Sequence, residues 1–227
     1  MSAVIPKSVF TFLEELKLNN DKDWMQANKK QYQANEKALK KFYASVEQGL
    51  NEKDQIEKVK VFRINRDIRF SPDKTPYNIH RSVSFSRAGA HRRGGYYLRI
   101  EPGNSLMAGG FFQPESADLL RIRKEFETDA APIGKILASD EFKLAFDGFV
   151  ERDAVKTAPK GFSKDHPNID LIRLKSYFVS HEFTDAEVLA PDFREKLLGY
   201  YRLLRPFFDY MSEVLTTDLN GVSLIEH

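Results

Sequence analysis

The sequence predicts an α+β fold: a mainly antiparallel sheet of about five strands with N-terminal and C-terminal helices packed on it. Three observations predict it. Apolar residues recur at three- and four-residue spacing near both ends of the chain, which is the period of an amphipathic helix. Between Arg81 and Phe112, three short runs are separated by brief turn-forming segments, the pattern of an antiparallel meander. Hydrophobic residues make up 41% of the 227 and charged residues 30%, which is enough apolar mass for a core and unlike a disordered chain. The expected organisation is one globular domain over residues 1–217, followed by a flexible tail at 218–227.

Ser8 is placed to cap a helix running to about Leu18, with Val9, Phe12, Leu13 and Leu16 on one face. Asn19-Asn20-Asp21 breaks it, and Asn20 or Asp21 can cap a second, longer helix to about Leu50. Its stripe is Trp24, Asn28, Tyr32, Leu39, Phe42, Val46 and Leu50. Val59–Ile64 is β-branched and aromatic and reads as a strand. The meander strands follow at Arg81–Ala88, Tyr96–Glu101 and Ser105–Phe112, with a Gly- and Arg-rich hairpin loop from Ala88 to Gly95 expected to be mobile. Gly109 and Gly110 mark a bulge or a close approach by another backbone or a ligand.

Pro114 opens a helix to about Glu127, and shorter helices follow at Pro132–Ala138 and Asp140–Phe149. Thr157–Asn168 is the longest irregular stretch, and Asn168 can cap one helical turn to Leu174. Tyr177–Phe183 alternates as a fifth strand that either extends the sheet or makes it mixed. The last helix starts at Pro191 and should kink or divide at Pro206, because proline lacks the N–H of a helical turn and clashes with it.

The most informative segment is Arg63-Ile64-Asn65-Arg66-Asp67-Ile68-Arg69-Phe70-Ser71-Pro72-Asp73-Lys74-Thr75-Pro76-Tyr77. Ser71-Pro72-Asp73-Lys74 reads as a turn, with proline presetting φ and short polar side chains bonding nearby backbone. From Arg63 to Arg99 there are nine Lys/Arg against two acids, Asp67 and Asp73, although the whole chain carries only +2. Positive charge is thus concentrated in one segment. Two readings fit. In one, Arg63, Arg66, Arg69 and Lys74 hold an anion, with Asp67 and Asp73 orienting them, because guanidinium forks match phosphate and carboxylate oxygens. In the other, the same residues form a structural ion-pair network, with further acids drawn from elsewhere in the chain.

The pattern Arg-x-x-Arg-Asp-x-Arg-Phe-Ser-x-Asp-Lys-x-Pro-Tyr at Arg63 to Tyr77 resembles the hallmark of a family of mostly bacterial, partly fungal proteins known only as a conserved domain of unknown function. Matching pieces include Phe12-Leu13 to Trp24, Asn28-Lys29 and Tyr32, Gly109-Gly110-Phe111 with Pro114, Pro159-Lys160-Gly161 to Asp165-His166-Pro167, and Leu174-Lys175. The resemblance spans nearly the whole chain and implies a single soluble domain. It brings no activity with it.

Several chemistries are excluded. With no cysteine there is no disulfide, thiolate metal site or Cys nucleophile. The histidines, His80, His91, His166, His181 and His227, show no zinc-enzyme spacing. There is no Gly-x-Ser-x-Gly elbow, no Gly-x-Gly-x-x-Gly and no Walker-type loop. No cofactor or metal is implied. No signal peptide is visible, and no stretch approaches the ~20 apolar residues of a membrane span, so a cytoplasmic protein without membrane association is expected. The acid/base candidates are His80, beside the central turn, and His166, on the long loop, with Tyr77 in support. Lys160 and Lys175 are further ligand candidates. The leading expectation is a site for a small phosphorylated or carboxylated ligand, with or without turnover. The alternatives are a nucleic-acid or polyanion module, with Phe85, Tyr96 or Tyr97 stacking bases and Arg81, Arg87, Arg92, Arg93 and Arg99 tracking phosphates, or a protein-interaction domain.

Overall fold

A computed structural model describes residues 3–151 and 154–225. Among them are ten helices and five strands: α1 Lys7–Leu18, α2 Lys22–Ala27, α3 Lys29–Asn51, β1 Ile56–Val61, β2 Arg81–Arg87, β3 Gly95–Ile100, β4 Ser105–Phe111, α4 Ser116–Thr128, α5 Ala131–Leu137, α6 Asp140–Ala145, α7 Ile169–Ile172, β5 Tyr177–Phe183, α8 Asp185–Leu189, α9 Phe193–Leu203 and α10 Arg205–Thr216. The strands form one antiparallel sheet in the order β1-β2-β3-β4-β5. The α+β class expected from the sequence is therefore the observed one, and β5 extends the sheet instead of making it mixed.

The described residues fall into two compact units. One takes the chain up to Phe85, Tyr97–Met107 and Glu182–Gly199; the other takes Ser86–Tyr96, Ala108–His181 and the chain from Tyr200 onward. In the first, α1 buries Val9, Phe10, Phe12, Leu13 and Leu16. Ser8 does not cap this helix; Pro6 holds that position. The Ser8 hydroxyl instead donates to Asn35 Oδ1 at 2.7 Å, and Asn35 Nδ2 returns a bond to Ser8 O at 3.0 Å. A buried asparagine thus ties α1 to α3. The single long helix expected from residue 20 to 50 is two. Both the backbone N–H and Nδ2 of Asn28 donate to the Trp24 carbonyl, at 3.0 and 2.9 Å, where α2 ends and α3 begins. Asp21 caps α2 by accepting from the N–H groups of Asp23 and Trp24. Aromatic rings fill the core: Phe12 meets Trp24 at 5.4 Å, and Phe42 stacks on Phe193 at 5.7 Å.

In the second unit, Tyr96 packs against Tyr201 and Phe208 at 4.8 and 5.0 Å. The sequence at Pro206 divides the last helix as expected, with α9 ending at Leu203 and the proline in the first turn of α10. Asn168 holds the N-cap position of α7 as expected, but its side chain makes no capping bond; its Nδ2 donates to Phe126 O at 2.8 Å. The hairpin loop around Arg92 and Arg93 is pinned where the glycines promised mobility. Arg93 N–H donates to Ser212 Oγ at 3.0 Å, Arg93 pairs with Asp118, and buried Arg87 donates to Arg93 O at 2.9 Å. At Gly110 the backbone has φ +144°, and an added Cβ would lie 2.5 Å from Phe178 Cα. The close approach read from the glycine pair is therefore that of β5.

Candidate functional site

The site starts where β1 stops. The strand runs from Ile56 to Val61, three residues ahead of the segment expected from β-branching. Beyond it the chain keeps one sheet bond, Phe62 N–H to Ser82 O at 3.0 Å, and then pairs with its own continuation. Asn78 N–H donates to Ile64 O at 2.7 Å, Arg66 N–H to Pro76 O at 2.9 Å, and Asn65 bridges Tyr77. The Arg63–Tyr77 motif is thus a loop closed at its base. Asn20 clamps that base by donating to Tyr77 O at 2.9 Å and accepting from Tyr77 N–H at 3.1 Å.

Inside the loop, the side chains bond one another. Arg66 Nη1 meets Asp73 Oδ2 at 2.5 Å and donates to Thr75 O at 3.0 Å. Asp73 Oδ1 accepts from Thr75 N–H at 2.9 Å and from the Thr75 hydroxyl at 2.8 Å. Arg69 grips Asp67 through Nε and Nη2 at 2.9 and 2.6 Å, and Lys74 Nζ donates to Ile68 O at 3.0 Å. The backbone N–H and hydroxyl of Thr75, with Arg66, hold the Asp73 carboxyl down at about 2. The Arg69 guanidinium and backbone N–H lower that of Asp67. Both are ionised orienting groups at neutral pH, not proton donors.

Elsewhere in the basic segment, acids outside it meet the arginines, most of them from distant parts of the chain. Buried Arg81 forks onto Glu36 through Nε–Oε1 at 2.6 Å and Nη2–Oε2 at 2.9 Å. Buried Arg87 reaches Asp209 at 3.3 Å, Arg93 pairs with Asp118, and Arg99 lies 3.3 Å from Glu101. Phe85 and Tyr96 are 0% and 2% exposed, so neither can stack a base. The strand arginines and aromatics invoked for polynucleotide binding are mostly spent on the core.

Arg63 is different. Its guanidinium makes no hydrogen bond or ion pair among the described residues, and it lines a pocket of about 390 Å³. The remaining lining is Phe62, Asn65, Arg66, Asp67, Asn78, His80, Ser82 and Tyr97. Ser82 belongs to β2, and His80 lies one residue before that strand begins. His80 is half-buried, and its ring makes no hydrogen bond among the described residues. Burial, followed by the positive charges of Arg99 and Arg81, lowers its pKa from the ordinary 6.5. The imidazole is therefore neutral at pH 7, with its nitrogens available as donor and acceptor.

Of the residues singled out from the sequence, the pocket brings together Arg63, Arg66, Asp67 and His80. Arg69, Asp73, Lys74 and Tyr77 belong to the same loop but are not in the lining. His166, Lys160 and Lys175 lie in the second unit. There His166 Nδ1 accepts from Asn168 N–H at 3.1 Å, and both lysines are exposed. Asn65, Asn78 and Ser82 were not singled out as site residues. Ser82 could have been found as an early residue of the strand that follows His80, whereas the neighbourhood of Tyr97 depends on cross-strand register that composition does not encode. Among the described residues no group of three or more His, Asp or Glu could hold a metal ion, and no helix is long and apolar enough to cross a membrane.

A family model described as a conserved hypothetical protein, DUF2461, matches residues 8–210. No curated protein and no solved structure matches the chain.

Proposed function

The chain belongs to the DUF2461 family of conserved hypothetical proteins, and from the pocket beside its Arg-rich loop we propose that it binds a small anion, phosphorylated or carboxylated. The observation that carries this reading is the unpaired guanidinium of Arg63 in a lining that also holds a neutral, unbonded imidazole. An arginine whose guanidinium makes no hydrogen bond or ion pair among the described residues, although its charge also helps lower the Asp67 carboxyl, is an anion contact beside amides and a hydroxyl. A volume of about 390 Å³ suits a metabolite-sized ligand. Arg66 and Arg69 support the site indirectly: their bonds to Asp73 and Asp67 hold the loop in shape. If turnover occurs, His80 is the lining group able to accept a proton near neutral pH.

The test is a thermal-shift panel of inorganic phosphate, sugar phosphates and mono- and dicarboxylates on wild type and Arg63→Ala at constant ionic strength. A ligand that binds only the folded state raises the melting temperature. The expected result is a shift from at least one anion in wild type and none in Arg63→Ala, whose unliganded melting point stays within about 2 °C of wild type because Arg63 is exposed and unbonded. An equal shift in both proteins would reject the site.

A further inference from the structure

The charges around the pocket narrow the ligand, an inference that rests on the anion-site reading above. Two lining charges are already matched, Arg66 by Asp73 and Asp67 by Arg69. With His80 uncharged, the charged lining residues are Arg63 and Arg66 against Asp67, 2 − 1 = +1, and Arg63 is the one of the three whose side chain has no hydrogen bond or ion pair among the described residues. One part of the lining is aromatic. The Phe62 and Tyr97 rings meet edge to face, with centroids 6.1 Å apart at 72°, and Lys60 Nζ sits 4.7 Å from the Phe62 ring centroid. Asn65 and Asn78 add amide donors and acceptors.

We propose that the pocket takes a singly charged carboxylate attached to a planar ring, an aryl or heteroaryl carboxylate, in preference to a phosphate monoester. A guanidinium and a carboxylate are both planar forks and pair through two parallel bonds. The net lining charge of +1 balances one negative charge; the second charge of a phosphate monoester at neutral pH meets no further cation in the lining, Lys60 lying outside it against the Phe62 ring. The aromatic pair gives a flat ring an edge-or-face partner, an arrangement that favours ring-bearing ligands by up to roughly tenfold.

NMR-monitored titrations, which read millimolar affinities, would compare benzoate, acetate, phenyl phosphate and inorganic phosphate on wild type, Arg63→Ala and Tyr97→Leu. Benzoate is expected to bind roughly tenfold more tightly than acetate, and more tightly than phenyl phosphate. Tyr97→Leu should weaken benzoate roughly tenfold more than it weakens acetate, and Arg63→Ala should weaken both. Phe62→Leu tests the same wall if Tyr97→Leu does not fold. Equal affinity for acetate and benzoate, or a preference for phenyl phosphate over benzoate, would overturn this inference and leave the anion site standing. Binding of none of the four by folded wild type would overturn both.

Discussion

Arg66 and Asp73 hold each other within the Arg63–Tyr77 loop, with Nη1 and Oδ2 at 2.5 Å, while Asp73 Oδ1 secures the backbone and hydroxyl of Thr75. This bond sorts the cations of the motif into two kinds. Arg66, Arg69 and Lys74 are occupied within the loop, and Arg63 is left to the pocket.

Asp73 gives the loop a pH dependence. Its folded pKa, about 2, lies below the ordinary 3.8, so its contribution is present above pH 3.8 and is lost as pH falls toward 2. Amide exchange at Thr75, measured against pH, should stay protected down to about pH 4 and then speed up. Asp73→Ala, which removes the accepting oxygen, should show fast exchange at Thr75 already at neutral pH. Unchanged protection in that variant would remove Asp73 from its bracing role.

Arg81 and Glu36 form a pair with side-chain exposures of 4% and 17%. Arg81→Met leaves the Glu36 carboxylate half-buried without its partner and should cost about 3–5 kcal/mol in urea unfolding. Adding Glu36→Leu should recover most of that loss, because the uncompensated charge is gone. The double variant tests whether the basic segment uses this arginine structurally.

His80 should titrate below its ordinary 6.5 in an NMR pH series, because burial and then Arg99 and Arg81 disfavour its charged form. In this window the unfolded chain binds more protons than the folded one, so the His80 contribution makes stability fall as pH drops from 6.5 through the folded pKa. Anion affinity should move the other way, since a protonated imidazole adds a positive charge to the lining. His80→Gln should flatten the affinity profile; an unchanged profile would place the anion elsewhere.

Gly110 and Gly109 should respond differently to alanine. At Gly110 the new Cβ meets the β5 backbone, 2.5 Å from Phe178 Cα, with φ at +144°, so Gly110→Ala should cost about 3 kcal/mol or prevent folding. At Gly109 the nearest obstacle is the end of the Leu204 side chain, which can rotate, and about 1 kcal/mol is expected. Chemical denaturation of the two variants makes the comparison.

Much of the fold was legible because periodicity is a local property. Val83 and Phe85 alternate, Phe12 and Leu16 repeat at helical spacing, and Pro206 stops a helix wherever it stands. The end of β1 was not legible: Phe62 and Ile64 look like strand residues, and only their bonds to Ser82 and Asn78 show where the sheet gives way to the loop. The site was half legible for the same reason. Arg63, Arg66, Asp67 and His80 were marked by charge density and proximity in sequence, whereas the carboxylates that neutralise the neighbouring arginines, Glu36, Asp118 and Asp209, lie 45, 25 and 122 residues away from their partners. A local count of nine cations against two acids therefore overstates the positive surface.

The most direct measurement follows the arginine Nε–Hε resonances and the His80 ring during titration with benzoate, and separately with inorganic phosphate. Arg63 and His80 are expected to shift together and saturate with one anion, while Arg66 and Arg69, held by Asp73 and Asp67, move little. Shifts at Arg66 and Arg69 with Arg63 unmoved, or no saturable shift with either anion, would contradict the anion site.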